Sequence, residues 1–209
     1  MYLHPPSAAS FSQLSQADLS RSMQQTLLKK HPQQPLWVFA YASLIWRPEF
    51  PWLAQRAATL NGYHRSLCLW SRINRGTPEN PGLVFALDRG GTCQGVVYQI
   101  PNQKVHEIFP KLWQREMPSG SYIPKWLNCE TNEGTVTALA FIMKRSCPAY
   151  APQIPLTQQR EIIMQAHGLN GSCLDYVLET HQALKRSGIQ DPKLNRLVHF
   201  LNLHKLTRT

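Results

Sequence analysis

The order of strand-like and helix-like segments in this 209-residue chain predicts an α+β fold. Six or so strand-like segments lie between residues 36 and 143 with one helical segment among them, and three helical segments follow. Strands and helices segregated in this way are typical of α+β domains. The hydrophobic content of 43% is sufficient for one core, and no internal repeat is present. We therefore expect a single domain over residues 36–209.

Residues 1–35 are rich in Ser, Gln and Pro and are predicted to be an N-terminal extension. One short helix is expected within it, from about residue 16 to residue 30. The sequence HPQQP at residues 31–35 would end that helix, because proline lacks the amide hydrogen that a helix needs. The extension is therefore predicted to be partly helical.

The next hundred residues read mainly as strands separated by turns. Two polar, glycine-containing tetrapeptides, DRGG at 88–91 and TNEG at 131–134, are each flanked by apolar runs and predict two hairpin turns. A helical segment over about residues 102–116 separates the two hairpins. The predicted strands cover residues 36–40, 56–70, 83–87, 93–100, 122–129 and 135–143.

Capping signals predict three helices in the last third of the chain. Thr157 is expected to cap a helix that ends at Gly168. Ser172, with Asp175 three residues later, is a capping-box pattern that opens a helix ending near residue 188. Asp191 precedes a proline at the first helical position and predicts a last helix, which runs to about residue 204.

The net charge of +10 and the pI near 9.6 favour anionic partners, which range from nucleic acid to a small carboxylate. No RRM or KH signature is present, and most tryptophans lie in apolar runs that are typical of a core. A basic nucleic-acid-binding protein is thus a secondary hypothesis, and we expect no nucleic-acid partner.

Composition also predicts the compartment. The five cysteines are widely spaced and form no C-x-x-C pair, as is common in a reducing cytosol. Neither a signal-peptide pattern nor an apolar run of about 18 residues is found, so no membrane association is expected. The eight histidines lack metal-ligand spacing, and no glycine-rich nucleotide loop occurs. We expect a cytoplasmic protein without a metal or a cofactor.

The stretch WVFAYASLIW at residues 37–46 places a lone serine, Ser43, after an apolar strand. A serine nucleophile on a strand-to-helix elbow needs small neighbours, usually in the pattern G-x-S-x-G. Tyr41 and Ile45 occupy those glycine positions here, which argues against a nucleophile. Two interpretations stay open: a turn whose backbone N–H groups bind an anion, and an ordinary tight turn.

Glu116 lies at the end of the predicted helix over residues 102–116. It is i+4 from Leu112 and i+3 from Trp113, and so falls on the apolar stripe that faces the core. Desolvation of a carboxylate there would raise its pKa towards the range of a general base. The alternative is a helix that frays before residue 116 and leaves the side chain in water.

Three stretches taken together resemble the ChaC family of γ-glutamylcyclotransferases. Residues 38–46, VFAYASLIW, are similar to that family's V-F-G-Y-G-S-L-I-W. Residues 75–82, RGTPENPG, are similar to its R-G-T-P-x-x-P-G, and Arg115-Glu116 followed by GSY at 120–122 looks like its R-E…G-x-Y. Tyr176 lies in a fourth, less specific region. The resemblance covers about residues 36–190.

The resemblance implies a fold, a site and a reaction. The fold would be a small mixed β-barrel with surrounding helices, and Glu116 would be the catalytic base. No metal or cofactor is implied. The substrate's γ-glutamyl group would be bound by the loop after the first strand, with Tyr176 as a further contact; the implied loop residues are Ala40, Tyr41, Ala42, Ser43, Leu44 and Ile45.

Alanine replaces both family glycines in this loop, at residues 40 and 42. If the loop requires a positive φ at residue 42, alanine would strain it. If the glycine provides only clearance, one methyl group is tolerated. The second possibility preserves activity, whereas the first favours a non-enzymatic protein that binds γ-glutamyl ligands.

The expected reaction is an intramolecular aminolysis of a small-molecule substrate, with glutathione as the best guess. The α-amine of the γ-glutamyl group would attack its own γ-carbonyl and release 5-oxoproline and Cys-Gly. Because the nucleophile belongs to the substrate, the protein needs to supply only positioning and proton transfer.

Overall fold

The computed structural model describes residues 3–7, 13–31 and 33–203. No helix in these ranges is long and apolar enough to cross a membrane. The helices found there are α1 (Gln16–Leu28), α2 (Ser43–Trp46), α3 (Val105–Glu116), α4 (Leu156–Gln165), α5 (Cys173–Arg186) and α6 (Pro192–Leu203). The strands are β1 (Leu36–Ala40), β2 (Ala54–Ser71), β3 (Gly82–Ile100), β4 (Tyr122–Thr131), β5 (Gly134–Met143), β6 (His167–Gly168) and β7 (Gly171–Ser172).

The first five strands close into a barrel in the order β1–β3–β2–β4–β5. Neighbours in that order are antiparallel, whereas β5 closes the barrel by parallel pairing with β1 and β3. The core includes Phe39 of β1 and Leu139 and Phe141 of β5, all without exposed surface. The predicted α+β fold with a small mixed barrel is confirmed.

The predicted hairpin turn at residues 88–91 is wrong, because these residues lie inside the single long strand β3. β3 pairs with β2 on both sides of them. Gly90 and Gly91 have positive φ values of 92° and 71°, and they lie opposite an irregularity in β2 at Gly62. Such a bulge bends a strand around a barrel without reversing it. The turn predicted at residues 131–134 does connect β4 to β5.

The capping signals of two C-terminal helices are confirmed. At the start of α5, the Ser172 hydroxyl accepts a hydrogen bond of 2.9 Å from the Asp175 N–H. At the start of α6, Asp191 accepts a hydrogen bond of 3.0 Å from the Leu194 N–H. Each cap satisfies an amide that has no partner within its helix. The predicted helices at residues 16–30 and 102–116 are also present, the second one beginning with a 3₁₀ turn.

The prediction for α4 is wrong at both ends. The helix begins before Thr157, with Pro155 at the N-cap position, and it ends earlier than predicted. The residues that follow form the short β6–β7 hairpin, which packs on the loop after β2. Leu169 and Asn170 donate N–H hydrogen bonds of 2.7 and 2.9 Å to carbonyls of that loop. These contacts between distant segments end the helix.

Helix α1 packs on the barrel domain through two tryptophans. The indole N–H of Trp113 in α3 donates to the Ser22 hydroxyl at 3.3 Å. The indole N–H of Trp126 in β4 donates to the Thr26 carbonyl at 2.8 Å. The described part of the N-terminal extension is therefore attached to the helix that carries Glu116.

Candidate active site

A cavity of about 460 Å³ lies where the segment after β1, the loop after β2 and the C-terminal end of α3 meet. Its volume is in the range of small-molecule sites. Glu116 contributes to its wall, as does Tyr176 from α5. The segment after β1 contributes Tyr41, Ala42, Ser43 and Leu44.

Three residues of the turn between β1 and α2 that line this cavity have backbone N–H groups without an acceptor in the described chain. Among the described residues, no acceptor is found for the N–H groups of Ala42, Ser43 and Leu44. The turn itself is closed by the Ile45 N–H, which donates to the Ala42 carbonyl at 2.9 Å. Unpaired, adjacent N–H groups next to a cavity form a suitable environment for an anion. This geometry favours the anion-binding interpretation of the loop over an ordinary turn.

Neither of the two loop alanines adopts a positive φ. Ala42 has a φ of −145°, outside the left-handed region, and Ala40 lies in the extended strand β1. Both side chains are buried, with 6% and 0% of the residue surface exposed. A positive φ at residue 42 is therefore not what this chain's loop requires.

Glu116 is the last residue of α3, and its side chain is only 13% exposed. The apolar face of α3 places Leu112 and Trp113 in the core and holds Glu116 against the barrel. Pro110 lies within the helix without ending it. Burial raises the pKa of Glu116, while the neighbouring Arg115 opposes the rise. The frayed-helix alternative is thus excluded.

Arg115 connects Glu116 to the substrate loop. Its Nε lies 3.1 Å from a Glu116 carboxylate oxygen, and one terminal nitrogen donates to the Ser43 hydroxyl at 3.2 Å. The other terminal nitrogen donates to Glu49 at 2.9 Å. A planar guanidinium with five fixed donors can hold all three partners at once. Arg115 therefore sets the position of the carboxylate relative to the loop.

Glu49 is a second carboxylate on the same arginine. Arg47 also donates to it, at 2.6 Å. Burial alone would raise the pKa of Glu49, but the hydrogen bond from Arg47 and the charge of Arg115 lower it. Glu49 has a φ of +58°, a conformation that non-glycine residues rarely adopt. Glu49 is therefore ionised and shares the charge of Arg115 with Glu116.

Three tyrosines interact electrostatically with the carboxylate; Tyr41 and Tyr176 are buried and Tyr122 is partly buried. Burial raises the pKa of Tyr41, Tyr122 and Tyr176, and the charge of Glu116 raises each further. All three therefore remain protonated at neutral pH and can donate hydrogen bonds. The Tyr176 oxygen accepts a hydrogen bond of 3.0 Å from the Phe85 N–H, which leaves its own proton available.

Two of the residues expected in the substrate loop do not reach the cavity. Ala40 lies within β1, and the Ile45 carbonyl is occupied by the Tyr98 hydroxyl at 3.0 Å. Neither residue is part of the cavity wall, so their predicted contact with substrate is not supported. Conversely, the wall contains residues to which the sequence assigned no role: Tyr122, Arg115 and Arg75. Each of these residues belongs to one of the stretches that resemble the ChaC family, and this was the feature of the sequence that could have indicated a role for it.

Within the described residues, no group of three or more His, Cys, Asp or Glu side chains could hold a metal ion. The candidate chemistry of the cavity therefore depends on the carboxylate, the arginines, the tyrosines and the loop N–H groups.

Comparisons with known proteins agree with this geometry. The chain is 35% identical over 178 residues to the glutathione-specific γ-glutamylcyclotransferase of Escherichia coli (strain K12), covering 85% of this chain and 77% of that protein. It is 31% identical over 172 residues to glutathione-specific γ-glutamylcyclotransferase 1 of Mus musculus, covering 79% of this chain and 77% of that protein.

A crystal structure of a γ-glutamyl cyclotransferase specific to glutathione from yeast has the same fold. It superposes with a TM-score of 0.75 at 22% identity, over 81% of this chain and 96% of that chain. The family model for ChaC-like proteins matches residues 36–204. On the strength of this match and of the relatives above, the chain belongs to the ChaC-like protein family.

Proposed function

We propose that this protein is a γ-glutamylcyclotransferase that cleaves glutathione to 5-oxoproline and Cys-Gly. The observation that carries the proposal is the buried carboxylate of Glu116, which shares one cavity with the unpaired N–H groups of the substrate loop. Relatives from a bacterium and a mammal carry this activity in their names, at 35% and 31% identity.

The reaction forms one bond and breaks another within the same substrate. The α-amine nitrogen attacks the γ-carbonyl carbon, and the amide bond to cysteine breaks as the five-membered lactam closes. Holding the γ-glutamyl chain in a folded conformation makes this attack effectively unimolecular. No enzyme nucleophile is required, which agrees with the absence of a nucleophile elbow around Ser43.

In this mechanism Glu116 transfers the proton. It accepts a proton from the substrate ammonium group, which frees the amine to attack, and donates it to the nitrogen of the leaving Cys-Gly. The attacking nitrogen then loses a second proton as the lactam N–H forms, and this proton completes the ammonium group of the released Cys-Gly. A pKa raised by burial makes Glu116 a stronger base than an exposed carboxylate, and the opposing charge of Arg115 keeps an ionised fraction available.

Substrate binding is assigned to the loop and the tyrosines. The N–H groups of Ala42, Ser43 and Leu44 would bind the α-carboxylate of the γ-glutamyl group. The Tyr176 hydroxyl, which remains protonated, supplies a further donor for the developing oxyanion. With φ at −145°, Ala42 does not adopt the positive φ that would favour the alternative of a binding protein without catalysis.

The test is to incubate purified protein with glutathione and measure 5-oxoproline and Cys-Gly. We expect both products in equal amounts, together with turnover that is lost in Glu116→Gln. Simple γ-glutamyl dipeptides, assayed in parallel, define the substrate range. If no γ-glutamyl compound yields 5-oxoproline, the proposed enzyme activity is refuted. Full activity in Glu116→Gln would refute the assignment of Glu116 as the base.

We further propose that residues 36–209 form the catalytic domain and that residues 1–35 are an extension at its rim. The family model begins at residue 36, which supports this division. The guanidinium of Arg72 in the cavity wall donates to the Pro6 carbonyl, and Gln13 also borders the cavity. All five cysteines are free thiols, which is consistent with the reducing cytosol that we propose as the location.

A further inference from the structure

The cavity wall holds four arginines, and their partners differ. Arg47 and Arg115 are paired with carboxylates. Arg72 donates to the backbone carbonyls of Pro78 and Pro6. The guanidinium of Arg75 makes one hydrogen bond in the described part of the chain, to the Ser172 carbonyl at 3.3 Å, and no carboxylate there lies within ion-pair distance of it. Most donors of its guanidinium are therefore unused.

Arg75 is also buried, with only 8% of its surface exposed. Its guanidinium carbon lies 5.3 Å from the ring centroid of Tyr176 and 5.9 Å from that of Trp46. Both rings are themselves held by hydrogen bonds, Tyr176 by the Phe85 N–H and Trp46 by the Thr180 hydroxyl. Aromatic faces beside a guanidinium leave its N–H edge free for a planar anion. Burial disfavours the charged form and lowers the pKa of Arg75, a cost that a bound anion would offset.

The backbone around Arg75 is fixed by close contacts. A Cβ at Gly82 would lie 2.0 Å from the Arg75 carbonyl oxygen, and one at Gly76 would lie 2.1 Å from the Gly82 nitrogen. The Arg75 N–H donates to the Ser71 hydroxyl at 3.0 Å. Only glycine permits such close approach of two backbone segments. The RGTPENPG sequence therefore builds a rigid loop that holds Arg75 in the cavity wall.

We propose that Arg75 binds the C-terminal glycine carboxylate of glutathione and thereby selects the tripeptide over γ-glutamyl compounds that lack this group. The proposal rests on the proposed function and deepens it. Glutathione carries two carboxylates, and the cavity offers two environments for them. The first is the set of loop N–H groups beside Glu116, and the second is the guanidinium edge of Arg75.

The chemistry of the reaction assigns each carboxylate to its environment. The α-carboxylate is attached to the same carbon as the attacking amine, so it must lie close to Glu116. The loop meets this condition, since Ser43 and Glu116 both contact Arg115. The glycine carboxylate is at the other end of the substrate, on the leaving group. Arg75 lies on the loop after β2, where its guanidinium contacts the β6–β7 hairpin through the Ser172 carbonyl, and it is the remaining buried cation in the described chain without a carboxylate within ion-pair distance.

The test compares glutathione with its C-terminal glycine amide, which differs only in the charge at that end. For the unaltered protein we expect kcat/KM for glutathione to exceed that for the amide by about tenfold to a hundredfold, the range of a charged hydrogen-bonded pair. In Arg75→Gln, kcat/KM for glutathione should fall by this factor, mainly through KM. Turnover of the amide should change by less than about threefold, so that the preference disappears.

Two further variants make the interpretation specific. Arg75→Lys keeps the charge but loses the planar fork, and should retain part of the preference. Arg56→Gln, the loss of an arginine that pairs with Glu133 and is not part of the cavity wall, should leave the ratio between the two substrates unchanged. Equal turnover of the two substrates by the unaltered protein would overturn the proposal without any variant. A preference for glutathione that persists in Arg75→Gln would also overturn the proposal. So would an equal loss of kcat/KM for both substrates, because it would show that Arg75 acts on the α-carboxylate, which both substrates carry. The proposed function fails separately, if the unaltered protein forms no 5-oxoproline from either compound.

Discussion

Replacing Ala42 with glycine measures what the substrate loop requires at this position. The Ala42 methyl group is 94% buried, as only 6% of the residue is exposed, and φ is −145°. Removing one buried methyl group costs about 0.8 kcal/mol. The added backbone freedom of glycine in the unfolded chain costs about 0.5–1 kcal/mol more. We therefore expect Ala42→Gly to lower the free energy of unfolding by about 1.5 kcal/mol.

The assay combines thermal unfolding with 5-oxoproline formation. For a chain of this size, about 1.5 kcal/mol corresponds to a decrease in Tm of about 3–6 °C. The value of kcat/KM should stay within about threefold, because the backbone already adopts its conformation with alanine. Ala138→Gly is the matched control, since Ala138 is fully buried in β5 and is not part of the cavity wall. It should lose similar stability and no activity.

Two results would refute this reasoning. An increase in Tm would show that alanine strains the turn. A gain of tenfold or more in kcat/KM, with the control unchanged, would show that the loop needs a conformation that only glycine reaches freely. Either result would restore the hypothesis of a loop weakened by its alanines.

Three other predictions follow from the charges and contacts of the site. Glu116→Gln should lower kcat by about 10²–10⁴-fold, equivalent to about 3–5.5 kcal/mol. Because the pKa of Glu116 is raised in the folded protein, its ionised form destabilises the fold at pH values above the normal carboxyl range. Glu116→Gln should therefore raise Tm at pH 8 relative to the unaltered protein and give no gain at pH 3. A lower Tm of the variant at pH 8 would contradict the raised pKa. In pH profiles of kcat/KM, Arg115→Met should move the acidic limb to higher pH, because it removes the positive charge that favours ionised Glu116. Glu49→Gln should move the acidic limb to lower pH, because it removes the negative charge that disfavours ionised Glu116. Shifts of the same sign in both variants would exclude this electrostatic account. Gly82→Ala should lower the free energy of unfolding by more than about 2 kcal/mol, because its Cβ would lie 2.0 Å from a carbonyl oxygen, and an unchanged Tm would show that the loop can adjust.

Much of the fold could be predicted because the strands are marked by local apolar runs. The errors occurred where long-range contacts decide between two local possibilities. Residues 88–91 are compatible with both a hairpin turn and a bulge, and only their pairing with β2 makes them part of one strand. The short helix α2 and the β6–β7 hairpin were not predicted, because elements of two to four residues carry little periodicity.

The site shows the same division between local and long-range information. Periodicity placed Glu116 on the apolar face of α3, but it could not exclude fraying, which depends on contacts with residues about 70 positions away. The motif containing Arg75 was visible in the sequence. That its guanidinium is buried beside two aromatic rings without a carboxylate follows only from the packing of distant segments.

The sharing of Arg115 between two carboxylates suits the two opposite proton transfers that we propose for Glu116. Burial alone would keep Glu116 protonated and unable to accept a proton, whereas an exclusive ion pair would keep it ionised and unable to donate one. Arg115 contacts both carboxylates, Glu49 at 2.9 Å and Glu116 at 3.1 Å, so neither extreme is reached. Holding Glu49 at a φ of +58° costs about 1 kcal/mol or more. Glycine at position 49 would remove that cost, but Arg115 would then pair with Glu116 alone. Stability therefore favours glycine at this position, whereas the proposed proton transfer favours glutamate.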